Sequence, residues 1–341
     1  MVLHLQEQKI KILCFGWYNK GNCGDESYKV SFSKLFNNCD IDFVDRINPN
    51  ECQKYDLIIL GGGNIVDKPY LRELNKIKNK DIYAFSVGVP NKIDIEDLSK
   101  IKHIYVRDIK SKEYLEKIGY LNTTFCPDAA FCFEPDPIRG KQLVKDLFIG
   151  RDLYEKKIAI TINSYLLGGR EELARDSITF QKFSMEMSSI IDNTNASFIF
   201  LPFSITEPRD DRVSNSWIAS KCKYWKKNKV VYDKLDYKDV LDIISYTDVS
   251  INTRLHVSIF SLVSEKPFID ITHHSKNLGF LKTIDAENLS IDYWHFNFYE
   301  MKELLNKILN NSIDVSFIKD KSQFMKDRLK WCLNDLHFNK R

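Results

Sequence analysis

Short continuous runs of Ile, Val, Leu and Phe recur along the chain, and between them the apolar positions fall at helical spacing. In the first half, runs at 10–15, 41–44, 57–60, 82–86, 104–106 and 123–126 predict strands, and stretches at 26–35, 70–77 and 110–118 predict helices. The alternation restarts with strand-like runs at 157–162, 197–201, 229–232, 249–251 and 267–270, and helices at 179–193, 236–244 and 255–263. Strands apolar on both faces, separated by helices, belong in parallel sheets covered on both sides.

The break between the two series is the stiff turn Glu134-Pro135-Asp136-Pro137 and the helix-like segment after it, which puts a domain boundary near residue 150. A chain of 341 residues also exceeds the roughly 250–300 residues that one core sustains. The expected fold class is therefore α/β: two doubly wound, Rossmann-like domains, 1–150 and 151–341, facing a cleft at the carboxyl ends of their strands. The last helical stretches, 301–310 and 322–336, can pack back on either domain.

Composition narrows the class. Hydrophobic residues make up 43% and charged residues 28% of the chain, an ordinary globular balance. With 50 Lys and Arg against 47 Asp and Glu, the net charge of +3 argues against a nucleic-acid partner and allows at most peripheral membrane contact. The end of the chain is locally basic, with Lys319, Lys321, Lys326, Arg328, Lys330, Lys340 and Arg341. That run reads first as a solvated helix face and second as a weak membrane-surface contact. Eight cysteines without a CxxC pair, several in apolar runs, suggest buried thiols in a reducing compartment. The first residues have no signal-peptide core, and no apolar stretch approaches the ~18 residues of a span, so the expected location is cytoplasmic.

Candidate chemistry sits where strands end. After the first strand comes Gly16-Trp17-Tyr18-Asn19-Lys20-Gly21-Asn22-Cys23-Gly24-Asp25-Glu26. Glycines there allow close backbone approach, and a helix N-terminus offers free N–H groups, with Asp25 as an alternative cap. The spacing matches neither a dinucleotide fingerprint nor a P-loop. A buried strand runs into Gly61-Gly62-Gly63-Asn64, a loop that a ligand or a helix can approach closely. Arg107 ends the next strand in Val106-Arg107-Asp108, and its planar fork suits a phosphate or carboxylate; an ion pair with a neighbouring carboxylate is the alternative. Asp128, in Cys126-Pro127-Asp128, can orient Arg107, meet a sugar hydroxyl or cap a helix.

Asn252-Thr253-Arg254-Leu255-His256 carries the most information. A strand ends and a helix begins, so an arginine and the side chain that carries protons near neutral pH share a turn that attracts anions. Downstream, Lys276 follows His273-His274 and can neutralise phosphate. Adjacent histidines diverge and no carboxylates accompany them, so no metal is expected.

The ordered set Gly-Asn-x-Gly-Asp-Glu, Gly-Gly-Gly, Val-Arg-Asp-x-x-Ser, Pro-Asp-x-x-Phe, Arg-Leu-His and a downstream Lys, from about Ile12 to Leu281, resembles the polysaccharide pyruvyl transferase family. The resemblance implies a fold similar to two-domain (GT-B type) glycosyltransferases. It also implies transfer of pyruvate from phosphoenolpyruvate to a sugar of a polysaccharide or glycan, giving a ketal and phosphate, with no metal or cofactor. Carried onto this sequence, it casts His256, Arg254 and Arg107 as catalytic, and Arg254, Lys276, Arg107 and Thr253 as donor-binding. Asn22, Gly24, Asp25, Glu26, Gly62, Gly63, Asn64 and Asp128 fall on the acceptor side, where the partner would be a saccharide or a lipid-linked saccharide. A nucleotide-sugar glycosyltransferase of similar fold is the alternative.

Overall fold

The computed structural model describes residues 9–90, 92–167, 173–206 and 209–336. The first eight residues, read above for a signal peptide, and Lys340 and Arg341 of the basic end lie outside the described residues. The chain forms two compact units. One comprises Met1–Lys20, Tyr28–Cys132 and Asp327–Arg341; the other comprises Gly21–Ser27 and Phe133–Lys326.

In the first unit, β1 (Ile10–Phe15), β2 (Cys39–Val44), β3 (Leu57–Gly63), β4 (Asp81–Val87), β5 (Ile101–Val106) and β6 (Thr123–Phe125) form a sheet in the order β2-β1-β3-β4-β5-β6. All pairings are parallel. Helices α1 (Cys23–Leu35), α2 (Lys68–Asn75) and α3 (Ile109–Lys117) lie among these strands in sequence. Every residue of β3 is buried, as its unbroken apolar run and glycines require. Alternate positions of the central strands, Ile58, Leu60, Ile82, Ala84, Ile104 and Val106, share one core cluster.

The second unit opens with α4 (Pro137–Leu147). A second parallel sheet follows, built from β7 (Lys157–Thr161), β8 (Ser197–Phe200), β11 (Asn228–Val230), β12 (Val249–Asn252), β13 (Phe268–Thr272) and β14 (Ser290–Asp292). A two-residue antiparallel hairpin, β9 (Ile205–Thr206) and β10 (Arg209–Asp210), interrupts the series. Its helices are α5 (Leu173–Asn193), α6 (Asp211–Ala219), α7 (Tyr237–Tyr246), α8 (Leu255–Val263), α9 (Ser275–Thr283) and α10 (Phe298–Leu309). The strand order β11-β8-β7-β12-β13-β14 is that of a Rossmann sheet, with the first strand of the unit, β7, in the middle. The winding direction reverses between β7 and β12, which makes their carboxyl ends the topological switch point.

The units divide at Cys132 and Phe133, not near residue 150. The reason is α4, which lies against α7 almost backbone to backbone: a Cβ on Gly140 would stand 1.9 Å from the Asp242 carbonyl oxygen. Arg139 of α4 pairs with Asp239 and with Asp242 of α7, the latter at 2.7 Å. At the other end of the chain, α11 (Phe317–Asp335) finishes in the first unit. There Arg328 Nε donates to the Phe125 carbonyl at 3.0 Å and the Tyr105 hydroxyl donates to Asp335 at 3.1 Å.

The hairpin, α6 and β14 are not foreseen in the hydrophobic pattern, being short and polar. None of the eight cysteines is in a disulfide. None of the described helices is long and apolar enough to cross a membrane.

Candidate active site

The switch point of the second sheet organises the site. β7 and β12 are paired neighbours, with Thr161 opposite Asn252, so the residues that follow them emerge side by side. Thr253 ties the two exits together. Its N–H donates to the Thr161 carbonyl at 3.0 Å, and its hydroxyl oxygen accepts from the Asn163 N–H at 2.7 Å. The chain then turns into α8 with Arg254 at the N-cap position. Arginine has no acceptor with which to cap a helix, and its side chain reaches Asp211 instead.

Asp211, the first residue of α6, is fully buried. Arg254 Nη2 donates to its Oδ1 at 2.5 Å and Nε to its Oδ2 at 3.1 Å. The same carboxylate accepts from the N–H groups of Ser164 at 3.1 Å, Phe203 at 3.1 Å and Ser204 at 3.0 Å. One buried anion therefore gathers the chain after β7, the chain after β8 and the start of α8. Five donors, two of them on the Arg254 guanidinium, replace the water it gives up.

His256 follows in the first turn of α8 and is 8% exposed. Its ring stacks on Phe203, with centroids 6.2 Å apart and planes at 17°, and meets the edge of Phe260. Its Nδ1 side faces Gly24, where an added Cβ would stand only 2.3 Å from that nitrogen. The segment carrying Gly24 is secured to the same unit. Cys23 N–H donates to the Phe203 carbonyl at 2.8 Å, and Asn22 forms an antiparallel bridge with Ser204. Asn22 Oδ1 accepts from the N–H groups of Gly24 at 3.0 Å and Asp25 at 3.4 Å, so Asn22, not Asp25, caps α1. Asp25 and Glu26 are left half-buried in the first turn, beside the glycine that faces His256.

The next strand, β13, pairs with β12 and ends at His273, His274 and Lys276. Both ring nitrogens of His273 are buried without a hydrogen-bond partner. Burial above all, then the charges of His274, Lys276 and Arg254, pushes the imidazole down to about 3. Burial, Lys276 and Arg254 lower His274 as well. Arg254 and Lys276 thus act on the same two imidazoles, and both push them towards the neutral form. Such a combination favours an anion. At the edge, the exposed Tyr165 ring lies 6.3 Å from the His274 ring and carries the Arg209 guanidinium 5.1 Å from its centroid.

Beneath α8 and α9 lies Asp270, fully buried in β13. It accepts from the Ser258 hydroxyl at 2.6 Å and from Asn277 Nδ2 at 2.9 Å. Burial raises its carboxyl to about 6 against the pull of these hydrogen bonds.

In the first unit lie Arg107, expected as catalytic and donor-binding, and Gly62, Gly63, Asn64 and Asp128, expected on the acceptor side. Arg107 is 7% exposed, and its Nη1 donates to Asp128 at 2.9 Å and to the Tyr28 hydroxyl at 2.7 Å. Tyr28 in turn donates to Asp128 at 2.5 Å. Asp128 is buried, with its second oxygen accepting from the Ala130 N–H at 3.1 Å. Of the two readings of Arg107, the structure places it in an ion pair, with Asp128 instead of its neighbour Asp108. Asp108 caps α3. The glycine run answers to α1: at Gly62, with φ +27°, a Cβ would lie 2.1 Å from the Tyr28 ring, and at Gly61 2.5 Å from Phe32. Gly63 ends β3, and the half-buried Asn64 sets its Oδ1 where a Cβ on Gly88 would stand, at 2.4 Å.

The sequence profile of the polysaccharide pyruvyl transferase family matches residues 9–275. The chain belongs to that family. Its match takes in both the Asn22–Glu26 segment and the Arg254–His256 turn, and ends at Ser275 beside Lys276. No curated protein matches the chain in sequence. Among solved structures, a putative UDP-N-acetylglucosamine 2-epimerase from Listeria monocytogenes is similar at a TM-score of 0.63 and 11% identity, over 98% of each chain. The UDP-GlcNAc 2-epimerase of Neisseria meningitidis bound to UDP-GlcNAc gives 0.60 at 10% identity, over 96% of this chain and 99% of that one. The lipopolysaccharide outer core galactosyltransferase WaaB gives 0.55 at 11% identity, over 97% and 100%. At such identity the likeness shows the fold alone: two parallel-sheet, Rossmann-like domains of the kind found in GT-B enzymes.

In this pyruvyl transferase family member, the second unit brings together Asn22, Gly24, Thr253, Arg254, His256 and Lys276, all expected from sequence. Sequence reasoning missed Asp211, Phe203 and Tyr165. Only Asp211 left a trace, as one of the two adjacent aspartates Asp210 and Asp211, and that trace reads as a helix cap. Among the described residues, no three His, Cys, Asp or Glu side chains gather to hold a metal ion.

Proposed function

We propose that the chain transfers pyruvate from phosphoenolpyruvate to two hydroxyls of a saccharide, free or lipid-linked, forming a ketal and releasing phosphate. The observation that carries this reading is the placement of Arg254, locked by Asp211, one residue before the helix that presents His256 at the switch point of the second sheet. Arg254 and Lys276 bind the donor's phosphate and carboxylate. Thr253 fixes the turn from which Arg254 projects. His256, protonated, delivers its proton to the methylene carbon, which becomes the methyl group. The central carbon gains positive charge, and one sugar hydroxyl adds to it. Phosphate leaves with the electrons of its C–O bond, and a second hydroxyl closes the ketal. The two hydroxyl protons are released, one restoring His256. Asp25 and Glu26, in the helical turn whose Gly24 faces His256, receive a hydroxyl proton. Arg107 is given no step in this reading, since its Nη1 is bonded to Asp128 and Tyr28.

The test is phosphate release from phosphoenolpyruvate with a panel of galactose- and N-acetylmannosamine-type acceptors. His256→Ala should lower turnover about 10²–10⁴-fold with an unchanged melting temperature. Thermal stabilisation by nucleotide sugars, with no phosphate released from phosphoenolpyruvate, would replace this reading by nucleotide-sugar glycosyl transfer.

A further inference from the structure

The second unit carries a surface that the chemistry above does not use. Helix α6 begins at Asp211, the partner of Arg254, and its outward face carries Val213 and, one turn on, Trp217, which is 43% exposed. At ~1.5 Å per residue, Trp217 stands about 9 Å along the helix from Asp211. The chain then presents Tyr224, 62% exposed, and Trp225, 58% exposed, before the edge strand β11; Tyr232, 59% exposed, follows that strand. Tyr232 lies against α6. The Tyr232 hydroxyl is 3.0 Å from Ser216 Oγ on α6, and Arg212 of α6 donates to the Tyr232 carbonyl at 3.2 Å.

Lysines are interleaved with the rings. Residues 217–232 contain five lysines and no acidic residue. Lys227 is buried against the carbonyls of Asp192 and Thr194. The side chains of Lys221, Lys223 and Lys226 are exposed and, among the described residues, form no ion pair; the Asp192 carboxylate accepts from the Lys223 and Tyr224 N–H groups at 3.0 and 3.3 Å. Cations also lie over the rings: Lys221 is 5.1 Å from the Trp217 centroid, and Arg151 is 5.2 Å from that of Trp225.

We propose that this face docks the protein on a membrane surface rich in anionic lipid. Amphipathic Trp and Tyr rings settle at headgroup depth, where the ring is shielded and its polar edge stays wet. Lysines beside them reach lipid phosphates while their stems cover apolar area. The near-neutral net charge hides this local excess, and the patch is distinct from the basic end of the chain. Docking here sets the start of α6, and with it Arg254, close to the bilayer surface, where a lipid-linked saccharide would be presented. The surface stands independently of the donor assigned above.

The test is flotation of the full chain with vesicles of phosphatidylcholine alone and of phosphatidylcholine with phosphatidylglycerol. The protein should float only with the anionic vesicles and be released by salt. A lysine near an anionic surface contributes roughly fivefold in partitioning. The triple variant Lys221→Glu, Lys223→Glu, Lys226→Glu should therefore bind about a hundredfold more weakly, with its melting temperature kept. Trp217→Ala with Trp225→Ala should also weaken binding, and the tail variant Lys319→Glu with Lys330→Glu should bind as wild type does. Equal binding to both vesicle types, loss only in the tail variant, or capture by a soluble polyuronate while vesicles stay unbound would each overturn the proposal.

Discussion

Asp211 and Arg254 are 43 residues apart in sequence and joined by two hydrogen bonds, with Arg254 Nη2 2.5 Å from Oδ1 and Nε 3.1 Å from Oδ2. The carboxylate is fully buried, so it fixes the direction of the guanidinium as well as balancing its charge. Asp211→Asn turns an acceptor into a donor facing arginine and main-chain N–H groups. Turnover should fall about a hundredfold through misplacement of Arg254. Asp211→Ala leaves the cation uncompensated and should cost roughly 3–5 kcal/mol of stability, read by urea unfolding.

Gly24→Ala separates a helical from a steric effect by its sign. Gly24 lies in α1, where alanine normally adds roughly 1 kcal/mol. Here the new Cβ would collide with the imidazole of His256, whose ring is stacked on Phe203. Stability and turnover should both drop, turnover by at least about tenfold. A more stable and fully active variant would show that His256 has room to move.

Two buried groups tilt the pH dependence of stability in opposite directions. Asp270 is raised to about 6, so between about pH 4 and 6 the folded state holds a proton that the unfolded state has lost. Its share of stability is present at low pH and disappears as pH rises through 6. Asp270→Asn should flatten that part of the profile. His273 is lowered to about 3, so between that value and about 6.5 the unfolded state binds the extra proton, and stability is lost as pH falls. His273→Phe should remove this acid-side loss and raise the melting temperature at pH 5 relative to wild type. Urea midpoints of both variants from pH 4 to 8 check the two signs separately.

Arg107 gives a stability test. Its guanidinium bonds Asp128 and Tyr28 in a buried cluster, so Arg107→Met strands the Asp128 carboxylate. A loss of roughly 3–5 kcal/mol is expected. Unchanged unfolding, with activity alone reduced, would return Arg107 to the ligand-binding residues.

Much of the fold is written in local pattern. Continuous apolar strands alternating with helices announce parallel sheets, and the restart at Lys157 announces a second unit. The exact division was not legible, because α4 is placed by its close approach to α7 at Gly140, a contact between residues a hundred positions apart. The glycine run after Leu60 was ambiguous for the same kind of reason. Glycine records that something comes close, and only the structure shows that Tyr28 and Phe32 do.

The sequence by itself determined the two α/β halves, the family, and the pairing of Arg254 with His256 at a helix start, because periodicity, motif order and neighbouring positions are properties of the chain alone. The tertiary structure decided which carboxylate holds Arg254, which glycine faces His256, and that Arg107 and Asp128 are joined in a buried pair. Those depend on strand order and on burial, which bring distant residues together in a low-dielectric interior where every charge must find its partner.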